Sequence, residues 1–278
     1  MIAHVAEASE GSGRVLFWLD SKALTLPSAI DGATRLAAAF GSEIETLVVD
    51  DGIISRALEL PVTRVVGAPN GGNIRHALFG QSQRREIEDA AGALGIPCHH
   101  TITAGDAIDQ LTGLCLMSGP WNVIAMSQEP TPATASTISA IMANVSGATG
   151  VVVAPRGPSR ASGPVAVVAE DPERLPSMVR AAERLCPGGA AIHVFLAAET
   201  LTDLVELEGI ARLSITQHKG LVFETSEPTH AIEGTFDERL RKLAPGYVIA
   251  RFGGTLLPSP RALARTIGLV GAPFLLVR

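Results

Sequence analysis

The sequence predicts an α/β protein built from two tandem Rossmann-like lobes, each a five-stranded parallel sheet with helices on both faces. Three observations carry this. Short apolar runs that read as strands buried on both faces alternate with segments whose apolar residues recur at helical spacing. The alternation breaks at the small, polar, glycine-bounded stretch Gly157–Gly163 (GPSRASG) and then restarts. The two halves also repeat each other. Pro120-Trp-Asn-Val-Ile-Ala aligns with Pro245-Gly-Tyr-Val-Ile-Ala, and Gly147-Ala148 with its VVV run aligns with Gly271-Ala272 and FLLV. The predicted organisation is a mobile leader over 1–13, lobe 1 over 14–156, a linker over 157–163 and a shortened lobe 2 over 164–278.

In lobe 1, Arg14–Asp20 (RVLFWLD) is an apolar run ending at an acid, and reads as the first strand. A helical face of Leu26, Ile30, Ala33, Ala37 and Phe40 follows, with Pro27 in its first turn and Gly41 as its stop. Glu43–Asp50 returns as a strand, completing a β-α-β unit. Ile53–Leu60 is compatible with a short helix, and Gly67–Asn73 reads as a loop. Ser82 is placed as the cap of a helix closed by Gly95 and Pro97. Cys98–Thr103 is the third strand, and Asp106 caps the next helix. Val123–Met126, a polar loop, a helix opening near Ser136 and Val151–Ala154 complete the lobe.

Lobe 2 reads as strands at Pro164–Ala169, Ala191–Leu196, Leu221–Glu224, Tyr247–Arg251 and Pro273–Val277. Between them, Leu175, Met178, Val179, Ala182, Leu185 and Cys186 make a clear helical face. Ile232, Phe236, Leu240 and Leu243 make another, and Ser259-Pro260 opens a third carrying Leu263, Ile267 and Val270. The first-strand pair (Val15, Val165) lies 150 residues apart and the fourth-strand pair (Pro120, Pro245) 125. Lobe 2 is therefore shorter by about 25 residues between its second and fourth strands.

Composition excludes several classes of function. Hydrophobic residues are 46% of the 278 and charged residues 18%, so a packed protein is expected. Aromatics at 4% leave little for base stacking, and a net charge of -6 disfavours phosphate backbones and anionic membranes. Nucleic acid and membrane partners are not expected. Three scattered cysteines (Cys98, Cys115, Cys186) fit a reduced compartment, and MIAHVAEASEGSG is no signal peptide, so a cytoplasmic location is expected.

These residues, in order, resemble the universal stress protein family, whose lobes are adenine nucleotide alpha hydrolase-like. The matching segments are Val15–Asp20, Leu47–Asp50, Gly105-Asp106-Ala107, Val123-Ile124-Ala125-Met126 and Val151–Val153, with Leu58–Val66 similar to a segment of tandem bacterial members. Nucleotide-binding members carry Gly-x2-Gly-x9-Gly-Ser/Thr after the fourth strand, whose backbone N–H groups close on phosphates. Here the first two glycine positions fall on Ser127 and Pro130, and the Gly-Ser/Thr pair falls near Ser136-Thr137. Proline has no N–H to offer. In lobe 2, Phe252 and Thr255 stand where the glycines should, flanking Gly253-Gly254.

The resemblance therefore implies a non-enzymatic module for stress response, binding or interaction, with no cofactor and no ATP. The alternative is a protein that binds ATP or another adenine nucleotide and hydrolyses it weakly. Asp20, Val49, Ser127, Ser136 and Thr137 are the implied ligand contacts; the plainer roles are a turn cap for Asp20 and N-capping for Ser136. Arg261 and Arg265 lie one turn apart on the last helix, which would bring one of them near the second crevice, with a solvated face as the default. No catalytic set is legible, and Cys98 and His100 share a strand face without a second ligand pair, so no metal is expected. The implied partners are the lobes for each other, as an intramolecular pseudo-dimer, and a second chain as a homodimer. Val151–Ala154 is expected to pair antiparallel with Phe274–Val277.

Overall fold

The computed structural model describes residues 13–19, 26–50, 72–117, 121–158, 162–186, 190–198, 200–215, 220–225, 235–254, 256–257 and 259–278. Lobe 1 contributes β1 (Arg14–Leu19), α1 (Pro27–Phe40), β2 (Glu43–Asp50), α2 (Gly72–Ala93), β3 (Cys98–Ala104), α3 (Ala107–Met117), β4 (Asn122–Met126), α4 (Pro132–Asn144) and β5 (Ala148–Val153). Lobe 2 contributes β6 (Val165–Ala169), α5 (Leu175–Leu185), β7 (Ile192–Leu196), α6 (Leu201–Ser214), β8 (Leu221–Thr225), α7 (Thr235–Leu243), β9 (Tyr247–Arg251), α8 (Pro260–Val270) and β10 (Phe274–Val277). The strand order is β3-β2-β1-β4-β5-β10-β9-β6-β7-β8, so each lobe repeats one topology.

Within each lobe every strand pair is parallel, and the lobes meet where β10 pairs antiparallel with β5. Phe274, Leu275, Leu276 and Val277 face Val153, Val152, Val151 and Gly150, the antiparallel pairing the sequence predicts, set one residue earlier on β5 than Val151–Ala154. Its consequence differs from two separate five-stranded sheets. The two free edges share one hydrogen-bonded ladder, so the lobes form one continuous sheet of ten strands.

Alternate side chains along the strands feed two cores, one on each face. Val15, Phe17, Val152 and Leu275 pack with α1, α2, α5 and α6, whereas Leu16, Val151 and Leu276 pack with α3, α4, α7 and α8. Each core crosses the seam. On one side α4 lies against α8, and on the other α1 lies against α5. Polar contacts from α1 tie the lobes further: Arg35 donates to the Gly246 carbonyl at 3.0 Å and lies over the Tyr247 ring, whose hydroxyl donates to the Gly32 carbonyl at 3.3 Å.

Three element readings are corrected. Ser82 does not cap α2, which begins at Gly72 and so also takes in the end of the expected Gly67–Asn73 loop. The helix after β4 opens at Pro132 rather than near Ser136, because Thr131 accepts the Thr134 amide at 3.1 Å and Pro132 presets the first turn. Helix α6 was not expected at all. The shortening of lobe 2 is confined mainly to one connection, which runs over 51–97 between β2 and β3 but only 197–220 between β7 and β8. Ile53–Leu60, Ile232 and residues 1–12 of the leader lie outside the described residues.

Candidate functional site

In an open parallel sheet, ligands bind at the carboxyl ends of the strands where the strand order reverses. Here that places one crevice between β1 and β4 and another between β6 and β9. The antiparallel seam points the two sets of strands in opposite directions, so the crevices open at opposite ends of the sheet.

In lobe 1 the described residues beside the crevice bond to one another. Ser127 is 1% exposed; its amide donates to the Trp18 carbonyl at 3.3 Å and its carbonyl accepts from the Leu26 amide at 3.2 Å. The loop beyond it is tied by the Thr134 hydroxyl, which donates to the Glu129 carbonyl at 2.8 Å, and Glu129 pairs with Arg156 at 3.3 Å. The Glu129 carboxylate of this loop is thus held in an ion pair and offers no net positive charge to a phosphate.

Ser136 and Thr137 stand inside α4, not at its start. The Ser136 hydroxyl donates back to the Pro132 carbonyl at 3.0 Å and that of Thr137 to the Ala133 carbonyl at 3.3 Å. The helix-start arrangement expected at these two residues belongs instead to Thr131–Thr134. Val49 is half-buried at the end of β2 and packs on the core shared with α3 and α4. Asp20 lies outside the described residues.

Strand register identifies the lobe 2 counterparts. Arg14 pairs with Asn122 and Val165 with Tyr247, and Asn122 matches Tyr247 in the repeat. Arg14 therefore corresponds to Val165, one residue from the Val15–Val165 match read in the sequence. Along β1 and β6, Leu19 becomes Glu170 and Asp20 becomes Asp171. On the neighbouring strands Val49 becomes Ala198, Met126 becomes Arg251 and Ser127 becomes Phe252. Asp171 acts as a turn cap: it accepts from the Glu173 amide at 3.0 Å and pairs with Arg174 at 3.2 Å.

Glu170, at the end of β6, ties down the loop that follows β9. Its carboxylate accepts from the Leu256 amide at 3.0 Å and lies against Gly254, where a Cβ would come within 2.2 Å of an oxygen. Beside it opens a cavity of about 410 Å³ at the carboxyl ends of β6, β7 and β9, walled on its far side by α6. Ala198, Leu207 and Ile210 give it apolar surface, while Glu170, Glu206 and Arg251 give it charge.

Sequence reasoning missed this cavity, although the repeat alignment that exchanges Met126 for Arg251 was a signal for it. Arg261 and Arg265 do not line it; Arg265 pairs with Asp237 at 3.3 Å in a separate cleft between α7 and α8. The Cys98-His99-His100 strand places His100 between Thr46 and Glu88, with both ring nitrogens hydrogen-bonded. No cluster of three or more metal-ligating side chains occurs among the described residues.

The fold and its two crevices define a class by shape alone: a tandem α/β protein of two Rossmann-like lobes joined in one sheet. Comparison with solved structures supports this at the level of fold. The chain is similar to a universal stress protein from Archaeoglobus fulgidus DSM 4304, at TM-score 0.57 and 13% identity over 95% of this chain and 96% of that one. It is equally similar in shape to a functionally unknown protein from Pseudomonas aeruginosa PAO1, at TM-score 0.57 and 12% identity over 100% and 94%. The cytoplasmic domain of a prokaryotic cation chloride cotransporter matches at TM-score 0.57 and 8% identity, over 95% of each chain. No family model and no curated protein matches the sequence.

Proposed function

We propose that this protein is a non-enzymatic binding or interaction module of universal-stress-protein type, acting in the cytoplasm in stress response, and that it does not bind ATP. The observation that carries the reading is the Glu170 carboxylate on the Leu256 amide and against Gly254, an anion supplied by the chain itself. A phosphate arriving there would meet a fixed negative charge. The loop of lobe 1, tied through Thr134 and Glu129, supports the same reading. So does the use of one fold by a universal stress protein and by a transporter's cytoplasmic domain, since fold alone does not bring an activity.

Nucleophilic chemistry at Cys98 and Cys115 is disfavoured. Burial pushes Cys115 up to about 12 and Cys98 up to about 11, so both stay protonated and weakly nucleophilic near neutrality. Among the described residues no helix is long and apolar enough to cross a membrane.

Isothermal calorimetry of the full chain with Mg-ATP tests the reading. No saturable heat is expected up to about 10 mM nucleotide, a concentration at which even a millimolar complex is largely formed. Saturable heat that disappears in Asp20→Ala would instead establish the nucleotide-binding alternative.

A further inference from the structure

The charges around the lobe 2 cavity sort into two kinds. Glu170 is engaged by the Leu256 amide, and Asp203 accepts from the Thr200 hydroxyl at 2.7 Å in the cap of α6. Glu206 and Arg251 line the same cavity, yet neither side chain has a hydrogen bond or ion pair among the described residues, with each other or with any third group. Opposite charges that share one concave space without meeting leave room for a ligand between them. Leu207 and Ile210 supply apolar wall from α6, and the volume of about 410 Å³ falls at the small end of ligand sites.

We propose that this cavity binds a small zwitterion with an apolar body, of the size of a free amino acid. Its carboxylate pairs with Arg251, its ammonium with Glu206, and its apolar body lies along Leu207 and Ile210. Arginine suits the carboxylate because its planar fork can donate two parallel hydrogen bonds. The fixed carboxylates of Glu170 and Asp203 add negative potential that favours the ammonium end and opposes polyanions. The proposal rests on the reading that the chain is a binding module whose crevices do not take nucleotides.

The test is calorimetry of the full chain with L-leucine, L-methionine and L-phenylalanine, alongside two truncated forms of leucine. One is 4-methylpentanoate, which lacks the amine, and the other is 3-methylbutylamine, which lacks the carboxylate. At least one amino acid is expected to bind saturably at one site per chain, with leucine favoured about tenfold or more over either truncated form if leucine is the binder. Arg251→Gln should weaken amino-acid binding by a similar factor while leaving the weak binding of 3-methylbutylamine unchanged. Glu206→Gln should do the converse with 4-methylpentanoate. Both positions are at least partly exposed, and an unchanged circular dichroism spectrum would verify that the variants fold. No saturable binding of any of the three amino acids at about 10 mM overturns the proposal, as does binding that neither variant weakens. Saturable Mg-ATP binding would overturn the preceding functional reading instead, so the two failures are distinguishable.

Discussion

Arg14 opens β1 with its side chain buried against Glu45 on β2, and the two form an ion pair. Arg14 also donates to the Leu114 carbonyl at 3.1 Å, and the Thr101 hydroxyl donates to the other Glu45 oxygen at 2.6 Å, so three strands and α3 meet at this pair. Burial lowers the Arg14 pKa, and the charge of Glu43 opposes that shift. A buried pair is stable only while both members are present, since removing one leaves an uncompensated charge. Glu45→Leu should therefore destabilise the protein by about 3–5 kcal/mol, and Arg14→Met/Glu45→Leu together should recover most of it. Urea denaturation of the two variants checks this; a double variant no more stable than the single one would show that the pair itself contributes the stability. In the sequence these residues read only as members of two strands, because strand pairing that brings residues 14 and 45 together is set by register and leaves no local trace.

Helix α4 has no basic residue in its last turn, so its exposed carbonyls lack a cation from their own segment. Lobe 2 supplies one. The side chain of Arg278, the last residue, donates to the carbonyls of Val145 and Ile141 and reaches that of Ser146. Arg278→Ala should cost about 0.3–2 kcal/mol, with faster hydrogen exchange confined to the end of α4, where equal protection in both proteins would refute the cap. Most elements were legible in the sequence because doubly buried strands are unbroken apolar runs and helices such as α5 bury one clean stripe. Helix α6 was not, since Leu204, Leu207 and Ala211 are buried while Leu201, Val205 and Leu213 are exposed, which spreads apolar residues around the helix and erases the period. Its one local signal was the Thr200-x-x-Asp203 capping pattern. The start of α4 was misplaced for a different reason: counting glycine positions from a family pattern pointed to Ser136, while Thr131-Pro132 carried the physical capping signal. The lobe 1 crevice could be located by the strand-end rule, but the lobe 2 cavity depends on α6 for its wall and was lost with that helix.

At the scale of the molecule, the antiparallel seam makes the lobes interdependent. Each core includes side chains of both β5 and β10, and the pairs α4–α8 and α1–α5 close over the seam from opposite sides. The strands approach closely at Gly150, where a Cβ would lie 2.7 Å from the Leu276 carbonyl oxygen. Gly150→Ala therefore perturbs the junction without removing any core side chain, and overpacking of this kind costs about 1–3 kcal/mol. The chain carries its own reporter for the consequence: both tryptophans, Trp18 and Trp121, lie in lobe 1, whereas far-ultraviolet circular dichroism sees both lobes. If the seam couples the lobes into one cooperative unit, tryptophan fluorescence and circular dichroism should give coincident unfolding transitions in the native protein. Gly150→Ala should move both midpoints down together. A fluorescence transition that separates from the dichroism transition in the native protein would show that the lobes unfold independently despite sharing a sheet.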